Sequence, residues 1–338
     1  MNDHADAPPA TAPAAPAGAS ADADRRGAQT SVPARLAQVD TLGPSVSFEL
    51  YPPRTEAATE SLWRTISELA QVSPDFFSVT YGASGSSRDT SRAVVRWILE
   101  HTDVRPVAHL TCIGAPREDV RAVAEQFVAD GVRDFLALRG DPPAGVADWQ
   151  PHPQGLRSGS ELVALLREID PGISIAAAAT PSHLVAHPAD ATEPCGDLLA
   201  LRAKQDAGAQ VAITQVFFEP DDYVRYVQEA RAVGVHIPVL PGVVPLDNPA
   251  RLRRLEEISG VPVPTRILDR LDAETDDVRR RAAGAAMGVD LALAVLDAGA
   301  PGLHLYTFNQ FRAVLDLLDG AGLRPGSSTP APVQAAAL

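Results

Sequence analysis

The chain has 338 residues, a formal charge of −14 and 45% hydrophobic residues, enough for one large domain or two ordinary ones. That acidity excludes a nucleic-acid partner, which would want a basic face, and no apolar run reaches the ~18 residues of a membrane helix. Cys112 and Cys195 stand far apart at no metal or redox spacing. With no disulfide framework and no signal-peptide stretch, a reducing cytoplasm is the expected location.

Residues 1–40 are rich in Ala, Pro, Asp and Gly, carry a basic Arg25-Arg26 pair and show no helix or strand period. They are expected to form a disordered arm. The tail 325–338 has similar composition and the same expectation. Between them, residues 41–324 alternate between strand and helix patterns.

The first strand is predicted over 46–51, and the helix over 56–71 places Leu62, Ile66 and Leu69 on one face. A strand over 76–81 and a helix over 90–101 follow. Next come a strand over 107–113 and a helix over 118–130 that stops at Gly131. The fourth strand, 135–138, leads to a helix opening with Ser158-Gly159-Ser160-Glu161, a capping-box spacing. Strands over 173–179, 211–217 and 237–244 continue the series, with helices over 198–207, 221–233 and 248–258. Residues 264–299 hold extra helical material, including a run over 276–298, before an eighth strand at 303–306 and a last helix at 311–318.

Eight strand–helix units in about 290 residues match a (β/α)8 TIM barrel, an α/β single domain with extra helices before the eighth strand. The rival is an open doubly wound sheet. No Gly-x-Gly-x-x-Gly follows the first strand, so that sheet's dinucleotide fingerprint is missing.

Polar residues sit where several apolar strands stop, which is how parallel barrels build active sites. Glu49 follows Val46-Ser47-Phe48, Thr80 follows Phe76-Phe77-Ser78-Val79, and His109 follows Val107-Ala108. Leu136-Ala137-Leu138 runs into Arg139-Gly140-Asp141-Pro142-Pro143, and Gln215 follows Ala212-Ile213-Thr214. Glu49 lies between Phe48 and Leu50, and apolar surroundings raise a carboxyl pKa, as a general acid near neutrality requires. The plain alternative is an ion pair with Arg54. Asp141 is read as an acceptor for amino or amide N–H groups of a heterocycle, against a structural bridge to Arg139. Gln215 is read as a buried amide offering a bidentate contact to a ring edge, against a satisfied core glutamine. His109 is equally readable as a core histidine, and no metal site is proposed.

These residues together resemble the methylenetetrahydrofolate reductase family. The matching pieces are Phe48-Glu49-Leu50-Tyr51-Pro52-Pro53-Arg54-Thr55, Ser78-Val79-Thr80-Tyr81-Gly82-Ala83, His109-Leu110-Thr111-Cys112 and Ala137-Leu138-Arg139-Gly140-Asp141. Then follow Asp206-Ala207-Gly208-Ala209, Ile213-Thr214-Gln215, Pro241-Gly242 and Leu305-Tyr306-Thr307-x-Asn309, all in the family's order. The resemblance implies a barrel that carries FAD and reduces 5,10-methylenetetrahydrofolate to 5-methyltetrahydrofolate with NADH or NADPH, feeding methionine synthesis. It makes Glu49 the general acid, Asp141 a catalytic and pterin-contacting carboxylate, and Gln215 a pterin ligand. It places Thr80, His109, Arg139, Gly140, Asp197 and Lys204 on the cofactor.

The chain departs from the family around the flavin. Ser158-Gly159 stands where the family has Tyr-Ala, Ala178 stands where it has a tyrosine, and Ala200 and Ala203 replace an asparagine and an arginine. Stacking area and a phosphate contact are thereby lost, so FAD is expected to be weakly held or absent, with hydride passing directly from NAD(P)H. On the nucleotide side, Arg251 and Leu255 align with a family glutamine and phenylalanine, and Gln310 with an arginine. A conventional flavin enzyme with an altered pocket is the close variant. A non-catalytic folate-binding or regulatory protein is the alternative of another class, and a barrel flavoenzyme of the proline dehydrogenase kind ranks last. A small-molecule folate partner is expected, in a monomer or a homo-oligomer.

Overall fold

The computed structural model describes residues 30–81, 85–142, 150–187 and 193–324. The arm over residues 1–29 and the tail from 325 lie outside the described residues. Two short helices come first, α1 (Val32–Leu36) and α2 (Val39–Leu42). The alternation then runs β1 (Ser45–Leu50), α3 (Glu56–Ala70), β2 (Phe76–Val79), α4 (Gly85–His101), β3 (Arg105–Thr111), α5 (Arg117–Ala129) and β4 (Asp134–Leu138). It continues with α6 (Gly159–Ile169), β5 (Ser174–Ala179), α7 (Pro181–Val185), α8 (Gly196–Asp206), β6 (Val211–Thr214) and α9 (Pro220–Ala232). The last part holds β7 (Val239–Leu240), β8 (Gly242–Val243), α10 (Pro249–Ser259), α11 (Thr265–Asp272), α12 (Asp277–Asp297), β9 (Gly302–Tyr306) and α13 (Phe311–Gly320).

The strands pair in parallel in the order β7-β6-β5-β4-β3-β2-β1-β9-β8. β7 and β8 are two halves of one barrel strand, interrupted at Pro241, which has no N–H to give to a ladder. The first half pairs with β6 and the second with β9, so the sheet closes on itself at eight strand positions. This is the (β/α)8 barrel expected from the alternation, with α11 and the long α12 inserted before the final strand.

Local signals account for the helices. Ser158 caps α6 by accepting from the Glu161 N–H at 3.2 Å, and the Glu161 carboxylate reaches back to the Arg157 N–H at 2.9 Å. Leu162, Leu165 and Leu166 on that helix are fully buried against the sheet. Asn248 caps α10 with Pro249 at its first position, and Gly260 ends it in the left-handed conformation.

Residues 31–40, expected inside the loose arm, are ordered and hold α1 and the start of α2. Val32 and Leu36 pack under the barrel against Phe76, Val107, Leu136, Ala176, Val211, Ile213 and Leu240. Arg35 ties the helix down through Asp75, at 2.6 Å, and Asp75 also accepts from the Val46 N–H. Burying one Val and one Leu contributes roughly 4 kcal/mol before entropy, which outweighs an Ala/Pro-rich composition. Strand limits also differ, β3 and β6 among them. β3 starts two residues early, where Arg105 pairs with Asp134 of β4 at 2.6 Å. β6 stops at Thr214, because the Gln215 side chain accepts from the Val216 N–H at 2.9 Å and turns the chain out of the ladder.

Candidate active site

Successive residues of a strand face opposite sides, and that decides what surrounds Glu49. Phe48 and Leu50 point outward into the core between sheet and helices. Ser47 and Glu49 point into the barrel, where β2 supplies Ser78, β3 supplies His109, and β9 supplies His304 and Tyr306. Glu49 is 6% exposed, and its Oε2 lies 3.5 Å from His304 Nε2 and 3.7 Å from His109 Nε2. His304 is 0% exposed, with its ring stacked on Phe76. Its Nδ1 is 2.9 Å from Ser47 Oγ and its Nε2 is 3.2 Å from Ser78 Oγ.

The expected upward shift of the Glu49 carboxyl is overturned by these neighbours. Burial pushes it up, but the His304 hydrogen bond, the charges of His109 and His304, and the Tyr51 hydroxyl together pull it below its ordinary value. His109 itself is pushed down to about 4 by burial, so it is neutral at physiological pH and His304 is the partner that counts. Among the described residues, His109 Nε2 has no hydrogen-bond partner. The pairing of Glu49 is with histidines, and no ion pair to Arg54 forms among the described residues. Tyr51 and Tyr306 are held protonated by burial and by the Glu49 charge.

The turn after β9 fixes this corner of the mouth. Phe308 and Asn309 have φ of 47° and 57°, a region Asn tolerates better than most residues. There the Asn309 side chain accepts from the Tyr51 N–H at 2.9 Å and donates to the Tyr51 carbonyl at 2.8 Å, extending the ladder by one rung. Thr307 Oγ1 donates to the Glu49 carbonyl at 2.7 Å. Tyr306 reaches across the barrel to donate to the Thr214 carbonyl at 2.9 Å. It passes Gly242, where a Cβ would stand 2.3 Å from that carbonyl and 2.7 Å from the Tyr306 ring. Phe308 stacks on Tyr51, and the Arg251 guanidinium lies 5.0 Å over Phe308 while donating to Asp247 and Gln310. Arg251 and Gln310, the two departures on the nucleotide side, thus touch each other.

The rim over β4 to β6 is open. Asp141 is exposed and forms no ion pair with Arg139 among the described residues; Arg139 Nε donates to the Gly140 carbonyl at 3.3 Å. Gly140 has φ +87°, and a Cβ there would meet Ile113 at 2.8 Å. Gln215, expected to be buried, is exposed at the mouth. A core glutamine is excluded. Thr80 donates to the Leu50 carbonyl at 3.2 Å.

Polar groups that would hold a flavin are engaged within the protein. Asp197 accepts from the Thr180 N–H at 3.1 Å and from the Tyr226 hydroxyl at 2.7 Å. Lys204 Nζ donates to the Ala178 carbonyl at 2.8 Å, and burial lowers its pKa. Ser158 caps α6, and Ala200 and Ala203 are exposed on α8 with no polar atom to offer. Among the described residues, this set does not fit a tightly held FAD. No group of three metal-ligating side chains occurs among them either, and none of their helices is long and apolar enough to cross a membrane.

His304, Ser47 and Ser78 escaped sequence reasoning. The strand Gly-Leu-His-Leu-Tyr alternates, with Leu303 and Leu305 packed outward, so a signal for an inward His304 was present. It was indistinguishable from a core histidine without knowing that Glu49 lies across from it.

A carboxyl acid bedded among histidines and tyrosines at the C-terminal mouth of a parallel barrel defines a barrel enzyme. The family described as methylenetetrahydrofolate reductase matches residues 35–322. The chain belongs to that family, and it is an oxidoreductase. It is 34% identical over 284 residues to 5,10-methylenetetrahydrofolate reductase of Escherichia coli, covering 83% of this chain and 92% of the relative. It is 30% identical over 298 residues to methylenetetrahydrofolate reductase (NADH) 1 of Zea mays, covering 85% of this chain and 50% of that protein. A solved structure, an uncharacterized Clostridium thermocellum protein that binds two copies of 5-methyl-5,6,7,8-tetrahydrofolic acid, shares the fold with a TM-score of 0.56 and 12% identity. That likeness covers 85% of this chain and 97% of the other.

Proposed function

We propose that the enzyme reduces 5,10-methylenetetrahydrofolate to 5-methyltetrahydrofolate, taking hydride directly from NADH or NADPH, and so supplies methyl groups for methionine synthesis. The observation that carries this reading is the buried Glu49 carboxyl at the barrel mouth, held by His304 and Tyr51. Glu49 gives a proton to N10 of the imidazolidine ring as the N10–methylene bond breaks, and the N5 lone pair forms the N5 iminium. Hydride from the dihydronicotinamide then adds to the methylene carbon, leaving a methyl group on N5 and NAD(P)+. One hydride and one proton enter per turnover, so charge and atoms balance. Asp141 accepts from the pterin amino and amide N–H groups, and Gln215 pairs with a second edge of the ring. Direct transfer requires the nicotinamide at contact distance from the iminium, in the position a flavin would otherwise take.

The test is a visible absorbance spectrum of the freshly purified protein, followed by NADH and NADPH oxidation with methylenetetrahydrofolate, with and without added FAD. A colourless protein that turns over without FAD is expected. A yellow protein whose activity tracks bound flavin would overturn direct transfer and leave a conventional flavoenzyme. A colourless, inactive protein that still binds folate would make it a binding protein.

A further inference from the structure

Glu49 poses a chemical problem, because a carboxyl held below its ordinary pKa is a poor store for the proton it must deliver. The hydrogen bonds of His304 resolve it. The Ser47 hydroxyl donates to the Leu303 carbonyl at 3.2 Å, so its oxygen is left to accept from His304 Nδ1, 2.9 Å away. A hydroxyl has one proton to give; with it on the Leu303 carbonyl, His304 keeps its fixed proton on Nδ1. Its Nε2 is the variable site, and it faces Ser78 Oγ at 3.2 Å and Glu49 Oε2 at 3.5 Å. The other titratable groups around the pair are His109 from β3, Tyr51 beyond β1 and Tyr306 from β9. The first is neutral and the two phenols stay protonated near pH 7. Proton movement within the cluster is thus confined to His304 Nε2 and Glu49.

We propose that His304 is a positioning residue that stores, on Nε2, the proton that Glu49 delivers to the substrate. The proposal rests on the reading of Glu49 as the general acid. The pair shares one mobile proton between His304 Nε2 and Glu49 Oε2, 3.5 Å apart. As the Glu49 O–H bond breaks toward the substrate nitrogen, the Nε2–H bond has broken toward Glu49. The pair is then neutral imidazole and carboxylate, one proton short, and the proton returns from solvent after product leaves. His304 is fully buried and sits a layer below the substrate, so it works through Glu49 and never touches the reacting atoms.

The sign of the pH effect follows from coupled titration. Two sites sharing a last proton release it at a pH at or above that of either site alone. Replacing His304 with Gln leaves the carboxyl as the sole site. The alkaline limb of kcat is therefore expected to move to lower pH, by about a unit or more, while the KM for methylenetetrahydrofolate changes little. A readout without turnover is the 15N titration of the His304 ring in the full-length protein. Its midpoint is expected to fall in the Glu49→Gln variant, which has lost the carboxylate that favours imidazolium. This arm needs no His304 variant to fold, and melting curves check the one that does. An unmoved alkaline limb in His304→Gln would overturn the store, as would a His304 titration indifferent to Glu49→Gln. A fully active Glu49→Gln enzyme would overturn the acid reading and delivery from His304 with it; an inactive one with an uncoupled His304 overturns the store alone.

Discussion

The mouth of the barrel has two unlike arcs. From β8 through β9 and β1 to β3, inward polar groups are bonded to one another: Glu49 to His304, His304 to Ser47 and Ser78, Tyr306 to Thr214, Asn309 to Tyr51. From β4 to β6 the rim shows exposed Asp141 and Gln215, a small Ala178, and a lysine folded back onto a strand carbonyl. The first arc is set before any ligand arrives, and preorganised polar groups are what stabilise charge as it develops. The second arc is more exposed, and on the proposed function it becomes organised when a heterocycle meets Asp141 and Gln215. On the proposed function, proton chemistry belongs to the closed arc and recognition to the open one, and substitutions should separate the two.

The largest expected effect is in the closed arc. Glu49→Gln keeps shape and hydrogen bonding but removes the proton, and kcat/KM should fall by about 10²- to 10⁴-fold, as steady-state kinetics would show. Folate binding by calorimetry should survive, because the open arc is untouched.

Acid should weaken the same arc before it weakens the rest. His109 is buried with a pKa of about 4 against an ordinary 6.5, so the unfolded chain takes up a proton that the folded one refuses. Stability is then lost as pH falls from 6.5 toward 4, by about 3 kcal/mol in full. Glu49, held below its ordinary value, adds loss in the same direction, since its stabilisation disappears as it protonates. Denaturant unfolding at pH 7 and pH 4.5 should show the fall, and His109→Gln should flatten it.

Gly242→Ala attacks the closing seam between the arcs. The new methyl would meet the Thr214 carbonyl at 2.3 Å, and overpacking of this kind costs about 1–3 kcal/mol. A lowered melting temperature with partial activity is expected; an unchanged one would mean that the seam has slack. The smallest effect belongs to the open rim. Gln215→Ala should raise the KM for methylenetetrahydrofolate by about tenfold, the worth of one polar contact, and leave the melting curve where it was.

Much of this architecture was readable because parallel strands buried on both faces announce themselves as short apolar runs. The cap at Ser158 was visible as a single residue with one backbone consequence, whereas the split at Pro241 falls inside a strand expected to run unbroken over 237–244. Glu49 was located correctly and its environment misjudged, since Phe48 and Leu50 adjoin it in the chain but point the other way. What sets its charge comes from β3 and β9, 60 and 255 residues later in the chain. No pattern in one strand reports a partner on another. Gln215 failed for a similar reason: its apolar neighbours suggested burial, yet its side-chain bond to Val216 ends the strand and leaves it at the surface. Val32 and Leu36 were hidden because two apolar residues four apart amid Ala and Pro make no periodic signal.

That small helix has a consequence for the chemistry above it. With Val32 and Leu36 packed under the floor of the barrel, apolar side chains cover its lower end. On the proposed function, a proton lost to the substrate is then replaced from the mouth side, so reloading follows product release.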